Sequence, residues 1–316
     1  MSTENANVVE IRGLVKDYGV FRAIDHLDLT IRQGEIFGLL GPNGSGKSTT
    51  IGCLLSLLKY SGGTIKVFGE SMSPAAYDLK RRIGVVFQDM AVFDQLTVKD
   101  NIDYFCGLYV TDKTARKKYV EEAIDFVGLG DFIRKKPRQL SGGLKRRLNI
   151  ACGIAHKPDL AILDEPTVAV DPQSRNNILE GIRQLNQAGS TIIYTSHYME
   201  EVEELCTRIA IIDRGKLIAE GTSSELIGRI QADETVTAEG IQLTEDQVRQ
   251  LEQMPIVLSA VYNGGILKLQ LRGSGAGLMT ILRYLEQERI RFGRIYSEKP
   301  TLNDVFLELT GKELRD

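Results

Sequence analysis

Short runs of apolar residues recur along the chain, and each run ends at a polar or glycine-rich segment. Four runs have the length and continuity of buried strands: residues 36–40, 83–87, 160–163 and 191–196. Residues 8–14 and 26–31 instead alternate apolar and polar side chains, which is the period of half-buried antiparallel strands. The pattern therefore predicts a buried sheet and an antiparallel sheet near the start of the chain.

Segments with helical spacing separate the buried runs. Thr97 and Asp100 have the spacing of a capping box and predict a helix through about Leu108. Residues 112–127 predict a second, more polar helix, and apolar positions from Leu144 onward predict a third. Buried strands that alternate with helices are typical of an α/β fold.

The first buried run leads directly into a glycine-rich segment, Gly41-Pro42-Asn43-Gly44-Ser45-Gly46-Lys47-Ser48-Thr49. This segment matches the phosphate-binding loop G-x-x-x-x-G-K-[ST], and a helix is predicted after it. The glycines let backbone N–H groups point inward, and the helix N-terminus adds partial positive charge. The spacing predicts that Lys47 reaches the β- and γ-phosphates and that the Ser48 hydroxyl binds Mg²⁺.

Polar side chains follow the other buried runs. In α/β sheets the carboxyl ends of the strands hold the ligands, so Gln88 is placed to contact a metal or water. Asp164 and Glu165 are adjacent at a strand end and point to opposite sides, which suits Asp164 for Mg²⁺ and Glu165 for polarising a water molecule. An acidic pair that only caps a strand is the alternative.

Two further residues have both a structural and a functional interpretation. His197 follows the run at residues 191–196 and is either a packing residue or a hydrogen-bond donor to a γ-phosphate oxygen. Tyr18 precedes the glycine-rich loop and either packs or stacks on a nucleobase.

One segment, residues 134–147, concentrates basic side chains: Arg134, Lys135, Lys136, Arg138, Lys145, Arg146 and Arg147. We predict a solvated helix face here, with contact to nucleic acid as the less favoured interpretation. Within this segment, Ser141, Gly142 and Gly143 stand at a predicted helix start, where a cap and free N–H groups suit an anion. They predict a second phosphate-recognising element.

Composition narrows the class of protein. The chain has 316 residues, enough for two domains, and its 42% hydrophobic and 26% charged residues are ordinary for a globular protein. Its net charge of −3 gives no general affinity for nucleic acid, so no nucleic-acid partner is expected. Without an apolar run of membrane-spanning length or a signal peptide, a cytoplasmic chain is expected. The four cysteines form no C-x-x-C motif and are expected to be reduced core residues.

Residues 231–316 carry no nucleotide motif. Their pattern predicts a strand, a helix that begins with the capping pair Thr244 and Gln247, a hairpin over residues 256–271, a helix and a strand. A last helix follows, with another capping box at Thr301 and Asp304. We therefore expect a small α+β C-terminal domain after a first domain at residues 1–230.

Over residues 8–225, this order of motifs resembles the nucleotide-binding subunit of ATP-binding-cassette (ABC) transporters. The diagnostic feature is Leu140-Ser141-Gly142-Gly143 between a P-loop and a strand that ends in Asp-Glu-Pro, because other P-loop ATPases lack it. The resemblance implies a P-loop NTPase cassette with a RecA-like core, an antiparallel β subdomain and an α-helical subdomain. It also implies hydrolysis of ATP to ADP and phosphate by a head-to-tail dimer, either a homodimer or a heterodimer with a similar subunit.

The resemblance assigns a role to each matching residue. Tyr18 stacks on adenine; Gly41 to Thr49 hold phosphates and Mg²⁺; Gln88 lies at the metal and at the loop facing the transporter. Asp164 is the metal-side acid, Glu165 the general base and His197 the γ-phosphate sensor. The loop Ser141 to Gly143 acts on the nucleotide of the opposite subunit, and Asp171 lies at that interface. Ala169 departs from the family, in which glycine is common at this position.

The resemblance extends to the subfamily that exports drugs, antibiotics, lipids, polysaccharides or sodium. It rests on residues 300–311, on residues 36–40 before the P-loop, and on residues 144–147 after the Leu140–Gly143 segment. Such a protein pairs with a separate integral membrane permease of about six helices per subunit and binds at the inner face of the cell membrane. The helix after Thr97 lies in the region that docks the permease in this family. The permease selects the cargo, so the sequence predicts no particular substrate.

Two other functions are alternatives. A cytosolic ABC ATPase acting in translation or DNA repair generally has two cassettes in one chain or a long coiled-coil insertion, and this sequence has neither. A regulatory module that senses ATP without hydrolysing it would not need Glu165 and His197, and both are present.

Overall fold

The computed structural model describes residues 6–168, 170–230, 232–273 and 277–310. Their contacts form two compact units, the first ending at Thr222 and the second beginning at Ser223. The domain boundary between residues 230 and 231 stays a prediction, and Ala169 lies outside the described residues. Within the ranges above, no helix combines the length and the apolar character needed to span a bilayer.

The described strands of the first unit form an antiparallel sheet and a mainly parallel one: β1 (Asn7–Tyr18), β2 (Phe21–Arg32), β3 (Ile36–Leu40), β4 (Gly62–Val67), β5 (Glu70–Ser71), β6 (Ile83–Val86), β7 (Leu160–Asp164), β8 (Thr191–Thr195), β9 (Arg208–Asp213) and β10 (Lys216–Gly221). The antiparallel sheet has the order β2-β1-β4-β5. The other has the order β10-β9-β3-β8-β7-β6, and its strands are parallel except β10. The α/β fold with a separate antiparallel sheet is thus confirmed.

The helices of the first unit are α1 (Lys47–Leu54), α2 (Tyr77–Lys80), α3 (Val98–Gly107), α4 (Lys113–Phe126), α5 (Gly142–Ile154), α6 (Pro172–Gln187) and α7 (Met199–Leu205). Four of them begin after a side chain that accepts a hydrogen bond from the amide three residues on: Thr97, Asp112, Ser141 and Asp171. The capping box predicted at Thr97 and Asp100 is formed. These local contacts explain why the helix starts were visible in the sequence.

The strands at the centre of the parallel sheet are buried along their whole length. Every residue of β3, β7 and β8 is buried, and their side chains join α1 and the antiparallel sheet in one apolar core. A buried polar group is costly unless it is hydrogen-bonded. Polar side chains therefore concentrate where these strands end, and this edge carries the residues predicted from the sequence.

The second unit is a four-stranded antiparallel sheet with helices: α8 (Ser223–Ile227), β11 (Glu234–Glu239), α9 (Glu245–Glu252), β12 (Val257–Asn263), β13 (Ile266–Leu271), α10 (Gly277–Gln287), β14 (Arg294–Glu298) and α11 (Leu302–Thr310). The strand order β12-β13-β11-β14 and the β-α-β-β-α-β succession are those of a ferredoxin-like unit. The predicted hairpin is present, and Thr244 with Gln247 forms the predicted capping box.

α5 packs against β6 at unusually short range. A Cβ atom on Gly153 would lie 2.6 Å from the carbonyl oxygen of Val85, and one on Gly84 would lie 2.5 Å from the carbonyl oxygen of Gly153. Only glycine at both positions allows this approach.

We predict that Gly153→Ala destabilises the protein by about 1–3 kcal/mol, because overpacking against backbone outweighs the ~1 kcal/mol that alanine normally adds to a helix. Urea unfolding measures the effect. The control is Gly130→Ala, since no heavy atom lies within 4 Å of a Cβ atom there. A Gly153→Ala protein at least as stable as the parent would contradict the close packing of α5 on β6.

His156 follows α5 and is buried away from the sheet edge. Its Nε2 lies 3.3 Å from the carbonyl oxygen of Ile83, and its ring stacks on Tyr109 with centroids 4.0 Å apart. Burial lowers the pKa of His156 to about 4, and the contact with the Ile83 carbonyl opposes this only in part. The folded protein therefore holds the neutral ring.

This burial predicts a loss of stability in mild acid. Below the ordinary histidine pKa of 6.5, the unfolded chain binds a proton that the folded chain does not, so the free energy of unfolding falls as pH drops from 6.5 towards 4. At pH 5 the contribution is about 2 kcal/mol. His156→Phe should remove that part of the slope in unfolding curves recorded between pH 8 and pH 5. Equal slopes for the two proteins would show that His156 is not held neutral.

Candidate functional site

A cleft of about 410 Å³ opens where the central parallel strands end. It is lined by Tyr18, Phe21, Ala23, residues 43–49, Gln88, Glu165, Val168 and His197. The structure thus brings together site residues that were predicted from five separate segments of the sequence. Asp164 lies beside this cleft, in contact with Ser48.

The glycine-rich loop between β3 and α1 approaches other backbone segments closely. A Cβ atom on Gly41 would lie 2.3 Å from the carbonyl oxygen of Ile212. Gly46 has a φ of +109°, a left-handed conformation, and a Cβ atom there would lie 3.0 Å from the carbonyl oxygen of Ala23. Glycine at these positions keeps the loop curled around a cradle at the start of α1.

Lys47 closes this loop on itself. Its Nζ donates hydrogen bonds to the carbonyl oxygens of Gly41 and Pro42, at 2.7 and 3.3 Å. Burial lowers the pKa of Lys47, and the carboxylates of Glu165 and Asp164 oppose that shift. The hydroxyl of Ser45 is buried and has no hydrogen-bond partner within the described residues. A buried ammonium, an unsatisfied hydroxyl and a helix N-terminus together fit the phosphates of a nucleotide.

The carboxylate of Asp164 is held by two hydroxyl groups. Thr195 Oγ1 donates to Asp164 Oδ1 at 2.6 Å, and Ser48 Oγ donates to Oδ2 at 3.2 Å. Sequence analysis did not identify Thr195, although it ends β8 in register with Asp164 at the end of β7. Within the described residues, no three His, Cys, Asp or Glu side chains form a metal site. The oxygen atoms of Ser48, Asp164 and Gln88 nevertheless suit Mg²⁺, which binds one or two protein groups together with phosphate oxygens.

Glu165 is buried at the floor of the cleft in a strained backbone conformation. Its φ of +48° is uncommon for a residue with a side chain. Its amide donates to Thr195 Oγ1 at 2.9 Å, and its Oε1 lies 3.6 Å from His197 Nδ1. The acid and the histidine that the sequence predicted at separate strand ends are therefore neighbours.

Residues Ser141–Gly143, which we call the serine-glycine turn, do not line the cleft of their own chain, and neither does Asp171. Ser141 caps α5 by accepting a hydrogen bond from the Leu144 amide at 3.4 Å, and Asp171 caps α6 through the Ser174 amide at 2.9 Å. The hydrogen bond from Ser174 lowers the pKa of Asp171. A Cβ atom on Gly143 would lie 3.1 Å from Asp171 Oδ2, so these two elements adjoin each other.

Aromatic side chains stand at the mouth of the cleft. The ring of Tyr18 is 48% exposed, and the ammonium of Lys16 lies 4.4 Å from its centroid. Phe21, which the sequence analysis missed, begins β2 and is also exposed. The signal available in the sequence was a second aromatic residue three positions after Tyr18.

Two buried charged residues differ from the sequence analysis: Arg146 was predicted to be solvated, and Glu201 was not identified. Arg146 was predicted on a solvated helix face, and this prediction is wrong: the side chain is buried because main-chain carbonyl oxygens accept its hydrogen bonds. Glu201, on α7, accepts hydrogen bonds from the hydroxyls of Thr167, Tyr194 and Ser196 at 2.8, 2.7 and 3.0 Å. Glu201 thereby joins the segment after Glu165 to the end of β8.

Known proteins are similar to this chain in sequence and fold. The family model described as ABC transporter matches residues 24–168. The linearmycin resistance ATP-binding protein LnrL of Bacillus subtilis (strain 168) is 38% identical, over 98% of this chain and 100% of the relative. The daunorubicin/doxorubicin resistance ATP-binding protein DrrA of Streptomyces peucetius is 43% identical, over 72% of this chain and 68% of the relative.

A solved structure of an ATP-binding cassette is also similar to this chain. It is the dimeric structure of an ATP-binding cassette in a post-hydrolysis state bound to ADP and Pi. It has a TM-score of 0.63 and 27% identity, and the match covers 68% of this chain and 98% of that one. With the cleft, the glycine-rich loop and the acidic strand end on the same edge of the sheet, these similarities lead to one conclusion. The chain belongs to the ABC transporter family and is an ATP-binding, ATP-hydrolysing subunit.

Proposed function

We propose that this chain drives export through a separate integral membrane permease by binding and hydrolysing ATP as a head-to-tail dimer. The proposal depends on one observation: the two phosphate-recognising elements lie at different places on the chain. The P-loop, Gln88, Glu165 and His197 share one cleft, whereas the serine-glycine turn lies elsewhere on the chain. A second copy, or a similar subunit, would bring its own turn to the open side of this cleft.

In the proposed complex, each side chain acts from the position described above. The exposed face of Tyr18 stacks on adenine. Lys47 exchanges its carbonyl partners for β- and γ-phosphate oxygens, and Ser48, Asp164 and Gln88 hold Mg²⁺. When bound, Mg²⁺ supplies positive charge that offsets the charge of the phosphate oxygens. Ser141, Gly142 and Gly143 of the other copy donate N–H groups to the same phosphates, and Asp171 lies at that interface.

Glu165 is the proposed general base. Its carboxylate faces the cleft and takes a proton from a water molecule whose oxygen attacks the γ-phosphorus. The bond from the γ-phosphorus to the bridging oxygen breaks as the new bond forms, and ADP leaves with that oxygen. His197 hydrogen-bonds a γ-phosphate oxygen and keeps the Glu165 side chain oriented, since the two lie 3.6 Å apart. Closing the two copies around ATP excludes bulk water from this proton transfer.

The permease is proposed to bind an apolar groove between α1, β6, α3 and α5. This groove, of about 310 Å³, is lined by Leu55, Leu57, Val85, Phe87, Phe105 and Tyr109, among others. Phe93 and Tyr104 add exposed aromatic rings packed on Phe105. An exposed apolar patch of this kind is typical of a protein interface. The drug-resistance names of the relatives support export. The proposal includes a permease of about six helices per subunit, with this chain bound at the inner face of the cell membrane.

Residues 231–316 are proposed to be an accessory domain that follows the cassette at residues 1–230 in the sequence. The ferredoxin-like unit has its own apolar core, formed by β11, β12, β13, α9 and α10. This core supports a separately folded element.

We predict that Glu165→Gln leaves ATP binding intact, lowers phosphate release at least ~100-fold and traps an ATP-bound dimer, because the amide cannot accept the proton. Phosphate release and size-exclusion chromatography with ATP measure the two effects. Glu200→Gln is the matched control, since Glu200 is exposed on α7. Hydrolysis at the parental rate in Glu165→Gln would refute this base, and a parent without ATP turnover would support the ATP-sensing alternative.

A second prediction concerns the membrane partner. The tagged protein should recover a multi-span membrane protein from solubilised membranes, and Leu57→Asp should weaken that recovery, because Leu57 is exposed in the groove. Ile218→Asp, on the exposed face of β10, is the control. Mass spectrometry identifies the recovered chains. Recovery of ribosomes in place of a membrane protein would favour the translation-linked alternative.

A further inference from the structure

Arg146 lies within the first two turns of α5, and its side chain is only 2% exposed. Its guanidinium donates hydrogen bonds to five main-chain carbonyl oxygens, those of Phe87 (3.1 Å), Gln88 (2.7 Å), Asp164 (3.1 Å), Pro166 (2.9 Å) and Glu165. A guanidinium has five N–H groups in a fixed planar arrangement. The acceptors therefore match the donors in number.

These acceptors belong to two turns, which we call the Gln88 turn (residues 87–88) and the Glu165 turn (residues 164–166). The first follows β6 and the second begins at the last residue of β7, and both contribute a side chain to the nucleotide cleft. The five hydrogen bonds of Arg146 go to their main chains, and Arg146 does not line the cleft. Its contacts therefore fix where Gln88 and Glu165 stand without using the side chains that act on the nucleotide.

The Glu165 turn needs such support. Glu165 has a φ of +48°, and left-handed backbone costs about 1–2 kcal/mol for a residue with a Cβ atom. Conformations of this kind persist where the surroundings determine them. Thr195 holds the amide side of Glu165, and Arg146 holds its carbonyl side together with the carbonyls before and after it.

A second side chain of α5 supports the segment that contains the Gln88 turn. Asn149, three residues after Arg146, accepts a hydrogen bond from the Ala91 amide at 2.9 Å and donates to the Phe87 carbonyl at 3.4 Å. α5 begins at the Ser141 cap, so one helix joins the serine-glycine turn to both cleft turns.

We propose that Arg146 is a positioning residue for ATP hydrolysis, which holds the Gln88 turn and the Glu165 turn in register with the serine-glycine turn through α5. The inference rests on the proposed function of Glu165 and of the serine-glycine turn. Movement of α5 when two copies close would be transmitted to the general base through this guanidinium. Lysine cannot replace it, because an ammonium is a point charge with three donors and lacks the planar fork.

The test uses the full-length protein with Arg146→Gln and Arg146→Lys, compared by steady-state ATP hydrolysis and thermal melting. We expect kcat to fall about 100-fold in the glutamine variant and at least ~10-fold in the lysine variant, with KM for ATP within about threefold of the parent. Amide hydrogen exchange should accelerate in residues 87–91 and 164–168. Arg134→Gln, an exposed change of the same kind in the same basic segment, should leave all of these unchanged.

Each other outcome overturns the proposal. A parental kcat in Arg146→Lys would show that positive charge suffices and that the planar arrangement of five N–H donors is not required. A loss of folding in both variants, or a rise in KM without a change in kcat, would make Arg146 a residue of the global fold or of nucleotide binding. Glu165→Gln distinguishes a failure of this inference from a failure of the proposed function. If Glu165→Gln loses turnover while the Arg146 variants keep the parental kcat, only the role of Arg146 is rejected.

Discussion

The burial of the central strands is the constraint on which the rest of this structure depends. β3, β7 and β8 have no exposed position, so a polar side chain on them would lose its water without a partner. The polar residues of the proposed site therefore stand at the last position of these strands, where Asp164 and Thr195 hydrogen-bond each other, or immediately after it. Because the strands are parallel, their ends share one edge, and segments far apart in the sequence meet there.

At that edge, much of the organisation depends on contacts to the main chain. Lys47 and Arg146 donate to carbonyl oxygens, and Thr195 accepts from the amide of Glu165. Glu201 adds a buried carboxylate that joins three hydroxyls from the neighbouring segments. In a low-dielectric environment such bonds are strong, and leaving one partner unsatisfied is expensive. The turn that carries Asp164 and Glu165 is consequently held from several sides, in a backbone conformation that it would not adopt alone.

The cleft by itself is one half of the proposed catalytic arrangement. It supplies a cradle, a lysine, oxygen ligands and a base, but the turn at Ser141 and the carboxylate of Asp171 adjoin each other outside it. In the proposed complex, catalysis would depend on the approach of two copies, because the phosphates would be fully contacted only when both are present. Such coupling would let the closing of the dimer move a membrane partner.

The sequence alone determined the features that are encoded locally. The glycine-rich loop, the capping box at Thr97 and the buried runs depend on neighbouring residues, and the α/β fold follows from their order. The tertiary structure decided which side chains support the site. Arg146 reads as one cation in a basic run, yet its acceptors come from segments 18 to 59 residues away. Thr195 and Glu201 gain their roles in the same way. No local pattern reports such contacts, because they exist only after the strands have aligned and excluded water.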